Sequence, residues 1–94
     1  MVAYVFFRRE VAIPCYEAMK EEASRQAYNH GLSVDRDLWW GDYGGDEIFF
    51  AFAKGEKGIE AARIFLFNFK HLVCRVDWTG ELTPIPAAEA PDNP

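Results

Sequence analysis

The run Ile48-Phe49-Phe50-Ala51-Phe52-Ala53 is the most apolar stretch in the chain. It is bounded by Gly41-Asp42-Tyr43-Gly44-Gly45-Asp46 before and by Lys54-Gly55 after. A short apolar run rich in aromatics between turn signals reads as a central strand. Leu38-Trp39-Trp40 on the other side of the glycine-rich turn makes it half of a hairpin, and the rest of the chain reads as cover for that hairpin.

Taken in order, residues 2–9 predict a first strand, because Ala3 to Phe7 is short, apolar and aromatic. Glu10 to Ile13 read as a connection, and Pro14 suits a first helical position, where its missing N–H costs nothing. A helix is expected over 14–30, with Cys15, Tyr16, Met19, Ala23, Ala27 and His30 on its inner stripe. Glu21 and Arg25 stand at the favourable i,i+4 spacing on its wet face. Gly31 is placed to take the left-handed position after that helix, with Leu32 folding back on it. Strands follow over 34–41 and 46–53. Lys54 to Gly58 break the pattern, a second helix runs from Ile59 to His71, and a last strand from Leu72 to Trp78. In the second helix Ile59, Ala62, Leu66 and Phe69 form the inward stripe, with Ala61 and Phe65 beside it and Ile64 and Phe67 left on the flank.

The order β-α-β-β-α-β, with two right-handed crossovers, gives an α+β fold: a four-stranded antiparallel sheet with two helices on one face, the ferredoxin-like sandwich, in strand order 4-1-3-2. Residues 1–80 are expected to form this single domain. Residues 81–94, which include Pro84, Pro86, Pro91 and Pro94, are expected to form a flexible tail that can build neither helix nor inner strand.

Adjacent aromatic pairs recur in the strands: Phe6-Phe7, Trp39-Trp40 and Phe49-Phe50. Neighbours in a strand point to opposite faces, so one member of each pair must leave the helix-covered side. The expected register sends Ile48, Phe50 and Phe52 under the helices with Leu38, Trp40, Leu72, Cys74 and Val76. Tyr4, Phe6, Arg8, Trp39, Phe49, Ala51, Ala53, Val73, Arg75 and Asp77 then fall on the uncovered face. Aromatic residues mixed with arginine are the composition of a binding hot spot, and a contiguous apolar patch marks an interaction site. Packing against a second copy, or under the tail with Ile85 as a plug, is the competing explanation.

A second candidate surface is the acidic hairpin, where Asp35, Asp37, Asp42, Asp46 and Glu47 stand against Arg36, with Trp39, Trp40 and Tyr43 interleaved. These residues read as a solvated turn, as a prong for a basic groove, or as an oxygen-ligand metal site from Asp42, Asp46 and Glu47, whose spacing matches no EF-hand loop. The reading adopted assigns no metal and no cofactor.

Catalytic motifs are missing from the sequence. No G-x-S-x-G, P-loop, G-x-G-x-x-G or H-E-x-x-H occurs. Cys15 and His30 stand about four helical turns apart, and Ser24 and Ser33 have no histidine in any motif. Cys15 and Cys74 read as reduced thiols of a reducing compartment, although spacing leaves a disulfide between them open. A net charge of −5 opposes general nucleic-acid binding and favours a basic protein partner. No apolar run approaches the ~20 residues of a membrane span, and the apolar start of the chain is too short for a signal segment. A cytoplasmic location is expected.

Phe50-Ala51-Phe52 resembles the aromatic-small-aromatic centre of the third-strand motif of RNA-recognition motifs. The basic residue and glycine that precede that centre are replaced by Ile48 and Phe49, and the resemblance implies a register with Phe50 and Phe52 exposed. It implies a single-strand nucleic-acid platform. The residues themselves point first to a non-enzymatic protein-binding module. Small size, acidity and aromatic content suit an inhibitor of a nucleic-acid-handling complex, of the kind phages use against bacterial defence systems. A homodimeric domain with a small ligand is the alternative.

Overall fold

In the computed structural model of the chain, residues 1–77 and 85–86 are described, without the side chains of Val73, Cys74, Ile85 and Pro86. The fold is α+β, an antiparallel sheet with two long helices against one face. Strand β1 (Ala3–Arg8) is followed by a single-turn helix α1 (Arg9–Ala12), a 3-10 turn over Ile13–Cys15 and helix α2 (Tyr16–Asn29). The hairpin strands are β2 (Leu38–Tyr43) and β3 (Glu47–Phe52). Helix α3 (Glu56–Asn68), a 3-10 turn over Lys70–Leu72, β4 (Val73–Asp77) and the two-residue β5 (Ile85–Pro86) complete the order. The sheet runs β2-β3-β1-β4-β5, so β1 and β3 take the central positions expected of them. β1 pairs antiparallel with both β3 and β4, and β2 with β3.

Several boundaries differ from expectation, each for a local reason. The helix expected over 14–30 is broken at its start. Pro14 lies within the 3-10 turn and has no N–H to continue a helix from α1 into α2. What was read as a connection from Glu10 is therefore partly helical. At the other end, Gly31 has φ of 80° and the Leu32 N–H donates to the Ala27 carbonyl at 2.8 Å. With the Gly31 N–H on the Tyr28 carbonyl, this is the expected glycine stop with Leu32 folded back.

The strand expected over 34–41 starts and ends later. The Ser33 carbonyl accepts from the N–H groups of Arg36 and Asp37, and the Asp37 carboxylate accepts the Ser33 N–H at 2.8 Å. That side-chain-closed turn holds residues 33–37 out of the sheet. Gly41, Asp42 and Tyr43 belong to β2, and the reversal is carried by Gly44 and Gly45, both at positive φ, with Asp46.

Gly58 was read as part of a break, yet it lies inside α3 and is buried. A methyl group there would overlap the carbonyl oxygens of Ala53 and Phe52. Only glycine lets the first turn of α3 approach the end of β3 so closely. The stripe of α3 is consequently centred on Ala61, Ala62 and Phe65, all fully buried, while Ile59, Leu66 and Phe69 are its partly buried edges. The helix ends at Asn68, three residues short of His71. Leu72 packs on the core from the 3-10 turn and not from a strand.

Phe65 is the hub of the core. Its ring meets Phe7, Phe50, Phe52 and Phe69 at centroid distances of 5.9, 4.9, 5.5 and 5.4 Å. Met19, Ala23 and Ala27 bring α2 onto the same cluster, and small residues let it lie close. Across the two long helices Asn68 donates to Glu22 at 2.7 Å, and Gln26 donates to the same carboxylate oxygen at 2.8 Å. Arg25 pairs with Glu22 rather than with the expected Glu21.

A register shift between Phe6 and Phe7 sets Val73 opposite Phe7 and Arg75 opposite Phe6. The faces expected of Val73 and Cys74 concern side chains that lie outside those described. Within the segment expected to be a flexible tail, Ile85 and Pro86 pair with Val76 and Arg75 at the β4 edge, a position where a proline without N–H is admissible. Residues 78–84 and 87–94, including Trp78, lie outside the described residues.

Candidate functional site

The strand pairing stacks the sheet into rows. On the side away from the helices, one row runs Trp39, Ala51, Tyr4 and Asp77. The next runs Gly41, Phe49, Phe6 and Arg75, and the third runs Tyr43, Glu47 and Arg8. Tyr4, Phe6, Trp39 and Phe49 are thus brought together as the sequence predicts, and Tyr43, assigned to the acidic turn, joins them. Tyr4 meets Trp39 edge-on at 6.5 Å and Phe49 at 6.1 Å. Phe6 meets Tyr43 at 5.1 Å and Phe49 at 6.4 Å. The Phe49 ring lies over Gly41, where a methyl group would stand 3.6 Å from the Phe49 Cε1, an ordinary packing contact.

This face is uneven. Phe6 is 0% exposed, although it points away from the helices. The Arg75 guanidinium stands 4.0 Å above its ring and 5.6 Å from that of Tyr43, and its Nη1 pairs with the Glu47 carboxylate across β1. A cation held over an aromatic face is worth about 0.5–2 kcal/mol, more as water is excluded, and here both charged partners are largely buried. Phe6, Arg75 and Glu47 form a closed unit, not an open patch. Ala51 and Asp77 on the same face are also fully buried. Toward β2 the surface opens: Trp39 is 38% exposed, and Tyr4, Tyr43 and Phe49 are partly exposed. Arg8 is exposed, with Glu10 at 3.2 Å.

Trp40 is on the helix side, as expected, with its ring 5.7 Å from Phe50, but it is 36% exposed. At the sheet edge, helix cover runs out. The register implied by the RNA-recognition resemblance is overturned, since Phe50 and Phe52 are fully buried in the helix-side core.

The acidic residues do not gather into one prong. Asp35 and Asp37 precede β2, whereas Asp42, Asp46 and Glu47 stand at its far end, about 17 Å along a strand of this length. Asp37 closes the turn on Ser33, Asp42 pairs with Arg9 at 3.3 Å, and Glu47 pairs with Arg75. Asp35 and Asp46 are exposed, and the Asp46 carbonyl accepts the Arg9 N–H. Among the described residues no group of three or more potential ligands is assembled for a metal ion, so Asp42, Asp46 and Glu47 do not converge. Cys15 is a free thiol near the Val11 carbonyl, and the His30 Nδ1 lies 2.8 Å from the Gln26 carbonyl oxygen. No helix among the described residues is long and apolar enough to cross a membrane.

The Arg75–Glu47 strap and the half-open Trp40 are the features that sequence reasoning missed. Glu47 and Arg75 are 28 residues apart and meet only through the pairing of three strands. The one sequence signal for Trp40 was its place in a strand next to a turn-rich segment, where a sheet edge is found. No family model matches the chain, and no curated protein or solved structure matches it either.

Proposed function

We propose that the chain is a non-enzymatic protein-binding module of ferredoxin-like architecture, and that its working surface is the β2 side of the helix-free face. The architectural reading is supported by the β2-β3-β1-β4 neighbours, all antiparallel, with both long helices on one side. The functional reading is carried by one observation. On a face whose centre is sealed by Arg75 and Glu47, Trp39 stays 38% exposed amid Tyr4, Phe49 and Tyr43. Tryptophan and tyrosine at the border of a rigid aromatic cluster are favoured anchors for a partner protein. The acids on either side of β2 favour a partner with a basic surface. Inhibition of a nucleic-acid-handling complex is the narrower form of this role, in which the partner's nucleic-acid groove supplies the basic surface.

The test is affinity capture from a nuclease-treated native lysate, wild type beside Trp39→Ala, at low and high salt. A specific partner lost with Trp39→Ala and weakened by salt is expected. Equal capture by both proteins would remove the face from the account, and doubled mass without any partner would make it a self-association surface.

A further inference from the structure

The outer edge of β2 presents main chain rather than side chains. β2 ends the sheet, and among the described residues no strand pairs with its free side. The Ala53 N–H donates to the Asp37 carbonyl at 2.8 Å, which fixes the phase of the β2–β3 ladder. In an antiparallel pair, bonded and non-bonded positions alternate. Trp39, Gly41 and Tyr43 therefore share the phase of Asp37 and bond toward β3. Leu38, Trp40 and Asp42 turn their N–H and C=O groups outward.

Natural proteins blunt such an edge with lysine, proline, bulges or a covering loop. The segment Leu38-Trp39-Trp40-Gly41-Asp42-Tyr43 has neither lysine nor proline, and its pairing to β3 is without a register shift. The edge is instead walled by half-exposed indoles, Trp40 on the helix side and Trp39 on the other. A strand laid along it would meet an aromatic ring on each of its faces. Beyond the indoles stand Asp35 and Asp37 at one end, with Arg36 between them and Lys54 following the Ala53 that bonds to Asp37, and Asp42 and Asp46 at the other, where Arg9 pairs with Asp42.

We infer that β2 captures an extended, lysine- or arginine-flanked segment of a partner protein by strand addition, main chain to main chain through Leu38, Trp40 and Asp42. A second copy fits less well. Antiparallel self-pairing that uses all the outward groups sets Trp40 against Trp40 but each Asp42 against Leu38, and it brings together two chains that each carry a net charge of −5. The inference rests on the proposed binding role and adds the partner's conformation and charge.

The experiment is amide hydrogen exchange by NMR on the intact chain, with the synthetic peptide Lys-Lys-Val-Thr-Val-Thr-Val-Lys-Lys at millimolar concentration. Exchange at Leu38, Trp40 and Asp42 is expected to slow at least tenfold, with Trp39, Gly41 and Tyr43 unchanged. The same peptide N-methylated at alternate residues, to remove its pairing N–H groups, is expected to give no protection, and a glutamate-flanked version to bind at least tenfold more weakly. No slowing at the outward amides, or equal binding of the N-methylated peptide, would overturn strand addition. Slowing that appears with rising protein concentration and no peptide would assign the edge to a second copy instead. Because capture by Trp39→Ala is read separately, a failed edge test with an intact Trp39 dependence would sink this inference and leave the face reading standing.

Discussion

On the helix side of the sheet, Phe7, Phe50 and Phe52 crowd Phe65 and are fully buried, with α2 and α3 closing over them. On the other side Tyr4, Phe6, Trp39, Tyr43 and Phe49 are just as aromatic, and no helix among the described residues covers them. Of these five rings only that of Phe6 is fully buried, beneath Arg75 and its Glu47 partner. The contrast teaches that aromatic content does not distinguish a core from a working surface. What distinguishes them is the source of the cover. A helix face supplies cover cooperatively and for many residues at once, whereas a single arginine strap supplies it for one ring. The residues that neither reaches, with Trp39 foremost, are the ones proposed above to meet a partner.

Substitutions can break this contrast at graded depths. Phe65→Ala removes the ring that four others contact and is expected to cost about 3–5 kcal/mol, read as a fall in the urea midpoint. Gly58→Ala tests the close approach of α3 to β3. Helix propensity alone would make alanine better by about 1 kcal/mol, but overlap with the Phe52 and Ala53 carbonyls reverses the sign, to a net loss of about 1–3 kcal/mol by thermal unfolding. Glu47→Gln keeps the shape of the strap but removes its charge. A loss of about 1 kcal/mol is expected, partly screened by salt because the pair is not fully buried, together with increased exposure of Phe6 to solvent.

The smallest effect is at Tyr16, which packs edge-on to Phe50 at 6.1 Å. Burial pushes its phenol above the ordinary tyrosine range, against the opposing pull of Lys20. A raised folded-state value means that the stabilising contribution is whole below pH ~10 and is lost as pH rises through the folded value. Wild type is therefore expected to lose slightly more stability than Tyr16→Phe between neutral pH and pH ~11, by denaturant titration at each pH.

Much of the architecture was legible because it rests on periodicity. The apolar runs at Ala3–Phe7 and Ile48–Phe52 and the stripe Met19, Ala23, Ala27 each repeat with the period of their element. The paired aromatics gave the two-faced sheet, and alternation set Phe49 and Phe50 on opposite faces without fixing which of them lies inside. The boundaries that failed depend on single contacts. Nothing in the local pattern says that Asp37 will close on the Ser33 N–H, or that Gly58 will lie directly against the carbonyls of Phe52 and Ala53. The site was legible as a composition but not as an arrangement. Phe6 and Arg75 were placed on one face, and only the strand register reveals that they cover each other.

The most direct test sets the two faces side by side: urea unfolding of Trp39→Ala and Phe65→Ala, with partner capture by the folded Trp39→Ala protein. The expected result is a loss of about 1 kcal/mol or less for Trp39→Ala at an unchanged denaturant slope, several kcal/mol for Phe65→Ala, and capture abolished by Trp39→Ala alone while it remains folded. A destabilisation by Trp39→Ala as large as that by Phe65→Ala would make the helix-free face a second core, and the division between a structural and a working side would be wrong.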